Sequence, residues 1–176
     1  VDGTSIGSTD GTPEGTAPRL DSPFGSLDSL SGLDDRLFFE AWDSELGGSA
    51  YFISDGTSEG TARLLENCPG GCAPHSWRAD AVGSPRRFFF LADDGVHGPE
   101  LWRSDGTAEG TELVKDIRPG AEGSIVSVPW NDGSGRYPLL LVGDRLFFPA
   151  DDGETGLRLW TSDGTEEGTV PIRGEG

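Results

Sequence analysis

Ser104-Asp105-Gly106-Thr107-Ala108-Glu109-Gly110-Thr111 decides how this chain is read, because the sequence writes the pattern four times. The other copies are Thr9-Asp10-Gly11-Thr12-Pro13-Glu14-Gly15-Thr16, Ser54-Asp55-Gly56-Thr57-Ser58-Glu59-Gly60-Thr61 and Ser162-Asp163-Gly164-Thr165-Glu166-Glu167-Gly168-Thr169. Successive motif Asp residues lie 45, 50 and 58 positions apart. A motif returning at that period marks a solenoid, a propeller or an array of supersecondary units. Its residue types explain the recurrence. Asp10, Asp55, Asp105 and Asp163 can each fold a carboxylate onto nearby backbone N–H groups, and Gly accepts a positive φ. The Thr hydroxyls bond locally, and the second Gly closes the turn before the next strand. The motif is a turn first, and any chemistry has to be argued on top of that.

Working outward from the turn, three units align. Arg36-Leu37-Phe38-Phe39-Glu40-Ala41 matches Arg87-Phe88-Phe89-Phe90-Leu91-Ala92 and Arg145-Leu146-Phe147-Phe148-Pro149-Ala150. These Phe-rich runs read as strands, and a period of two sets Leu37, Phe39 and Ala41 on one face. Gly143-Asp144, after Leu139-Leu140-Leu141-Val142, suits a two-residue hairpin into the strand at Arg145. Each run leaves through an acidic turn: Asp43-Ser44, Asp93-Asp94-Gly95 or Asp151-Asp152-Gly153. A third strand follows at Ala50 to Ile53, Glu100 to Arg103 or Arg158 to Thr161. After the repeated turn comes a fourth, at Ala62 to Leu65, Glu112 to Ile117 or Val170 to Arg173.

Four short antiparallel strands in roughly 50 residues are the content of a propeller blade. No segment of useful length has helical period, so a βα solenoid is disfavoured. The expected fold is all-β, a β-propeller-type array of four-stranded antiparallel blades. Residues 1–20 supply the last two strands of a partial blade, and 21–66, 67–118 and 119–176 supply three complete ones. The chain has no Met, so residue 1 reads as the start of a trimmed or excised piece. A partial ring leaves apolar blade faces uncovered. The missing blades are expected from a longer parent chain or from a second copy.

Glu100-Leu101-Trp102-Arg103-Ser104-Asp105-Gly106-Thr107 resembles the bacterial ELWxxDGT repeat family. The match runs on through Gly110-Thr111, Leu113 to Ile117 and Pro119-Gly120, and back through Phe89-Phe90, Ala92 to Gly95 and His97-Gly98. Leu159 to Thr165 keeps the same pattern, whereas Tyr51 stands near the place of the Trp in its unit. The resemblance implies a secreted or surface-exposed bacterial protein built as a propeller-like array. It implies no catalytic residues.

Composition narrows the partners. The 176 residues carry 31 acidic against 13 basic side chains, a formal charge of −18, with Lys115 the only lysine. Such a surface repels phosphate backbones and anionic membranes, which disfavours nucleic acid. No stretch approaches the ~20 apolar residues of a membrane span. In Cys68-Pro69-Gly70-Gly71-Cys72 the sulfurs can meet as a small-loop disulfide, which places the chain in an oxidising compartment. Zinc is the rival reading, with His75 the obvious additional ligand.

Four Asp/Glu pairs, Asp10/Glu14, Asp55/Glu59, Asp105/Glu109 and Asp163/Glu167, resemble paired catalytic carboxylates only superficially. Catalysis needs one site with two unlike environments, and four equivalent copies supply the opposite. Calcium is the better functional rival, because hard cations take loop oxygens. Its candidate ligands are Asp93, Asp94, Asp151 and Asp152, where His97 in one acidic turn is replaced by Thr155 in the other. Phe39, Phe90, Phe148, Trp102 and Trp160 read as inter-blade core rather than a sugar platform. Outside the repeat, His75, Trp77 and Arg78 flank the cysteine loop, and Trp130, Asn131, Asp132 and Tyr137 sit in an insertion. These irregular loops are the candidate binding residues for a protein or glycan partner. Neither His75 nor His97 lies in a nucleophile motif. The expected function is an extracellular binding or assembly module, with calcium as the possible cofactor. The alternatives are a secreted glycan hydrolase or lyase on the same scaffold, and a purely structural subunit of a surface assembly.

Overall fold

The computed structural model describes residues 5–8, 12–14, 17–21, 27–65, 82–84, 87–125, 128–129, 135–136 and 138–173. Its strands are β1 (Ser5–Ser8), β2 (Ala17–Asp21), β3 (Leu27–Leu33), β4 (Arg36–Asp43), β5 (Gly48–Ser54), β6 (Ala62–Arg63), β7 (Val82–Ser84) and β8 (Arg87–Asp93). Then follow β9 (Pro99–Ser104), β10 (Glu112–Lys115), β11 (Val128–Pro129), β12 (Gly135–Arg136), β13 (Leu140–Val142), β14 (Arg145–Asp151), β15 (Leu157–Ser162) and β16 (Val170–Pro171). Three sheets have four strands in chain order, β3-β4-β5-β6, β7-β8-β9-β10 and β13-β14-β15-β16, and every pairing is antiparallel. β1 pairs with β2 alone. The fold is all-β, an array of four-stranded antiparallel blades.

Local sequence explains the meander. Gly143 takes φ 59° between β13 and β14, and Val142 pairs with Arg145 to close the two-residue hairpin. Asp34 does the same work at φ 51°, which a short polar side chain tolerates. Each fourth strand is shorter than the sequence suggests. Pairing nevertheless runs on past β6 and β16, where Leu64 N–H donates to Tyr51 O and Ile172 N–H to Leu159 O, both at 2.9 Å. The insertion before the last blade is not wholly irregular. Its flanks pair as β11–β12, Val128 with Arg136 and Pro129 with Gly135.

Alternation sorts the core into layers between blades. Phe38, Tyr51, Ile53 and Leu64 of the β3–β6 sheet meet Phe88, Phe90, Ala92 and Trp102 of the β7–β10 sheet in one cluster. Phe89, Leu91, Leu101 and Val114, on the opposite face of that second sheet, meet Leu146, Phe148, Ala150 and Trp160 of the third in another. Leu37, Phe39 and Ala41 share a third cluster with Ala50 and Phe52, as the period of two requires. The rings interlock: Phe90 lies 5.3 Å from Phe38, 5.4 Å from Tyr51 and 5.9 Å from Phe88 between centroids. Trp102 and Trp160 occupy equivalent register positions, opposite Phe90 and Phe148, and both are buried. Among the described residues no helix is long and apolar enough to cross a membrane.

Candidate functional site

The repeated turn is a closed hydrogen-bond circuit, drawn alike in the copies at Asp55, Asp105 and Asp163. In the middle copy Thr107 N–H and Oγ1–H both donate to Asp105 Oδ1, at 3.0 and 2.7 Å. Gly110 N–H donates to Thr107 Oγ1 at 3.0 Å, and Thr111 Oγ1–H donates to Thr107 O at 2.6 Å. That leaves Thr111 Oγ1 to accept from Ser104 Oγ, 2.7 Å away, which itself accepts from Gly106 N–H. The bonds from Thr107, side chain first and then backbone, hold the Asp105 carboxyl below its ordinary range. Thr57 and Thr165 do the same for Asp55 and Asp163. The recurring Ser and Thr hydroxyls and the motif Asp carboxylate are therefore used within the turn. Glu59, Glu109 and Glu167 stay exposed.

The acidic turns follow a second shared pattern. Asp94 Oδ1 accepts from Val96 and His97 N–H, both at 2.9 Å, and Asp94 Oδ2 lies 2.8 Å from His97 Nδ1. Asp152 Oδ1 accepts from Glu154 and Thr155 N–H, and Thr155 Oγ1–H donates to Asp152 Oδ2 at 2.6 Å. His97 and Thr155 look unlike in sequence but do one job, capping the outer oxygen of the second Asp. Thr155 lowers Asp152 to about 2. Burial alone would raise Asp94, but the bonds from His97 and Val96 outweigh it and leave it lowered. The bond to Asp94 raises His97 in turn. Asp93 and Asp151 accept from Gly95 and Gly153 N–H in the same way, both at 2.8 Å. Among the described residues no three His, Cys, Asp or Glu side chains gather as a metal cluster.

The second and third blades are fastened by three cations. Arg87 Nη2 donates to Asp163 O, Arg103 Nη1 to Gly164 O at 2.7 Å, and Lys115 Nζ to Glu166 O and Thr169 O at 3.3 and 3.1 Å. All four acceptors belong to the repeated turn of the next blade. The Arg87 guanidinium also lies 5.5 Å over the Phe89 ring. Gly164, at φ 85°, leaves no room for a side chain, because a Cβ would fall 2.5 Å from Arg87 Nη2. Beside this clasp opens a cleft of about 650 Å³, lined by Arg87, Phe89, Leu141, Asp144, Asp163 and Thr165 among others. Its lining combines the Arg87 guanidinium that is bonded to Asp163 O, the Phe89 ring beneath that guanidinium and the acidic residues Asp144 and Asp163.

Glu100 is the unusual carboxyl. It is fully buried, Oε1 accepting from Arg118 N–H at 3.1 Å and Oε2 from Ser124 Oγ–H at 2.5 Å. Ser124 and Ile125 N–H return to Pro99 O, and Ser124 O accepts from Asp151 N–H of the next blade at 2.9 Å. Glu100 thus pins the loop that crosses between blades, and its lack of exposure removes it from any substrate. Burial pushes it up to about 7 from 4.5, and the bond from Ser124 only partly opposes this. The folded value is the higher one, so protonation favours the fold. That contribution is full below about pH 4.5 and is lost as pH rises through about 7. Glu100→Gln is expected to favour the fold more at pH 8 than at pH 5, by a difference on the order of 2 kcal/mol that shows as a larger gain in Tm at pH 8. Melts of both proteins at both pH values check this, and an equal effect at the two would contradict it.

Of the residues singled out in the sequence, Asp55, Asp105 and Asp163 are turn formers. Asp93, Asp94, Asp151 and Asp152 spend carboxylate oxygens on their own loops. Asp10, Cys68, Cys72, His75, Trp77, Arg78, Trp130, Asn131, Asp132 and Tyr137 lie outside the described residues. Arg87, Arg103, Lys115 and Glu100 were not singled out, although Arg recurs at the start of each Phe-rich strand.

No family model matches the chain, and no curated protein sequence matches it significantly. Among solved structures the chain is similar to TolB from Acinetobacter baumannii, at 14% identity over 93% of this chain, with a TM-score of 0.52. It spans 36% of that TolB chain, about a third of its length. TolB is a β-propeller, so the likeness shows a propeller-type fold. Looser overlaps are with the computationally designed Ika4 protein, at 12% identity over 96% of this chain and 78% of that one, with a TM-score of 0.44. An endo-arabinase from Bacteroides thetaiotaomicron overlaps at 12% identity over 89% of this chain and 63% of that one, with a TM-score of 0.33.

Proposed function

We propose that this chain is an extracellular binding and assembly module of the ELWxxDGT repeat type, acting through blade faces and inter-blade loops rather than through catalysis. The observation that carries the reading is the outer face of the β13–β16 sheet. Leu140, Val142, Leu157, Leu159, Val170 and Ile172 are all exposed there, between 38% and 59%. Their register puts them on one face: Leu140 pairs with Phe147, Val142 with Arg145 and Val170 with Thr161, while Ile172 bonds to Leu159. A contiguous apolar patch of this kind on a chain of charge −18 marks an interaction surface. The repeated carboxylates are occupied by turn formation, which supports binding over acid–base chemistry.

Sedimentation velocity tests the reading. The isolated chain is expected to rise in weight-average mass above 18.6 kDa as its concentration increases. The double substitution Leu157→Asp/Leu159→Asp is expected to hold it at monomer mass. A wild-type chain that stays monomeric at every concentration and melts cooperatively would contradict it.

A further inference from the structure

We propose that the outer face of the β13–β16 sheet is a blade-to-blade interface whose occupant is one further blade of this same repeat, set as β13–β16 sits on β7–β10. This rests on the assembly reading above and names the partner. Continuity of the repeat is the first ground. The positions exposed on the last sheet are the ones that the preceding sheet buries against its successor. Leu101 is 0% exposed and its counterpart Leu159 is 51%, and Val114 is 5% exposed against 38% for Ile172. Phe89 and Leu91 are buried, whereas Phe147 and Pro149, their counterparts, are half-buried. The same side chains in the same register are thus covered where a next blade exists and uncovered where none does.

Charge is the second ground. In the described interface Arg87 and Lys115 reach across to backbone carbonyls of the next Ser-Asp-Gly-Thr turn. Their counterparts on the last sheet are Arg145 and Arg173, both exposed. The third cation, Arg103, is replaced by Thr161, whose buried Oγ1 has no hydrogen-bond partner. An apolar centre with two cations at its rim therefore repeats the surface that already grips an acidic turn. The occupant is recognised by that chemistry: a Leu/Phe-x-Phe-x-Ala strand, an aromatic third strand and a turn offering carbonyls to Arg145 and Arg173.

The test extends the full chain with a second copy of residues 119–173 that carries Leu157→Asp and Leu159→Asp in the added copy only, so that the new last blade presents no apolar face of its own, and compares it with the unextended protein by sedimentation and melting. The extended chain is expected to lose the concentration-dependent association of the unextended one and to melt several degrees higher. Arg145→Ala is expected to lower Tm in the extended chain and leave the unextended chain unchanged. Undiminished association after extension, or an Arg145→Ala effect equal in both, would overturn the proposal. A discrete dimer that persists in the extended chain would overturn it too, by making a second copy the occupant. Absence of association in the unextended chain sinks the assembly reading itself, so the two failures are separable.

Discussion

Phe90→Ala is expected to cost about 3–5 kcal/mol of stability, the range for deleting a fully buried aromatic side chain. Phe90 is 0% exposed and stands among Phe38, Tyr51 and Phe88, with Phe38 and Tyr51 contributed by the neighbouring blade. Removing the ring leaves a cavity between two sheets, where closure would require blades to move as units. The loss therefore exceeds what a side chain within a single sheet face would show. Urea unfolding of the two proteins measures it. A loss under about 1 kcal/mol would mean that the inter-blade layer is not the principal core, because surface positions fall in that range.

Gly110→Ala is expected to cost about 2–4 kcal/mol, as for other changes that break a closed hydrogen-bond network. Gly110 does not owe its place to backbone conformation, since its φ lies outside the left-handed region. It is there for space: a Cβ would fall 2.1 Å from Asp105 Oδ1 and 2.3 Å from its Cγ. The carboxylate must leave, and both bonds from Thr107 go with it. Asp105→Ala removes the obstruction, so Gly110→Ala made on that background is expected to cost little further. Full additivity of the two substitutions would contradict the steric account. The same contact recurs at Gly60 with Asp55 and at Gly168 with Asp163, which explains the second Gly of the motif.

Much of this was legible in the residues. The period of the Asp-Gly-Thr turn, together with the Phe-rich runs, is enough to place four strands per unit. The alternation of Leu37, Phe39 and Ala41 assigns a face to each side chain because strand geometry has no freedom there. The clasp was not legible. Arg87 and Arg103 act on backbone carbonyls at Asp163 and Gly164, and a carbonyl leaves no mark in a sequence. The shared role of His97 and Thr155 was hidden for a related reason, since two unlike side chains can satisfy one carboxylate oxygen. In the sequence Glu100 is one letter of the Glu-Leu-Trp motif. Only the fold brings Arg118 and Ser124 around it, and its counterparts Ala50 and Arg158 give no hint of a buried carboxyl.

The β7–β10 sheet packs one face on the β3–β6 sheet and the other on the β13–β16 sheet. A pair of double-mutant cycles tests this most directly. Leu101 and Trp160 lie in one inter-blade cluster although they come from different blades. Trp102 and Trp160 are equivalent in sequence but lie in different clusters. Leu101→Ala with Trp160→Phe is expected to show a coupling of roughly 0.5–3 kcal/mol, and Trp102→Phe with Trp160→Phe to be additive within about 0.5 kcal/mol. Additivity in the first pair with coupling in the second would contradict the packing of the blades.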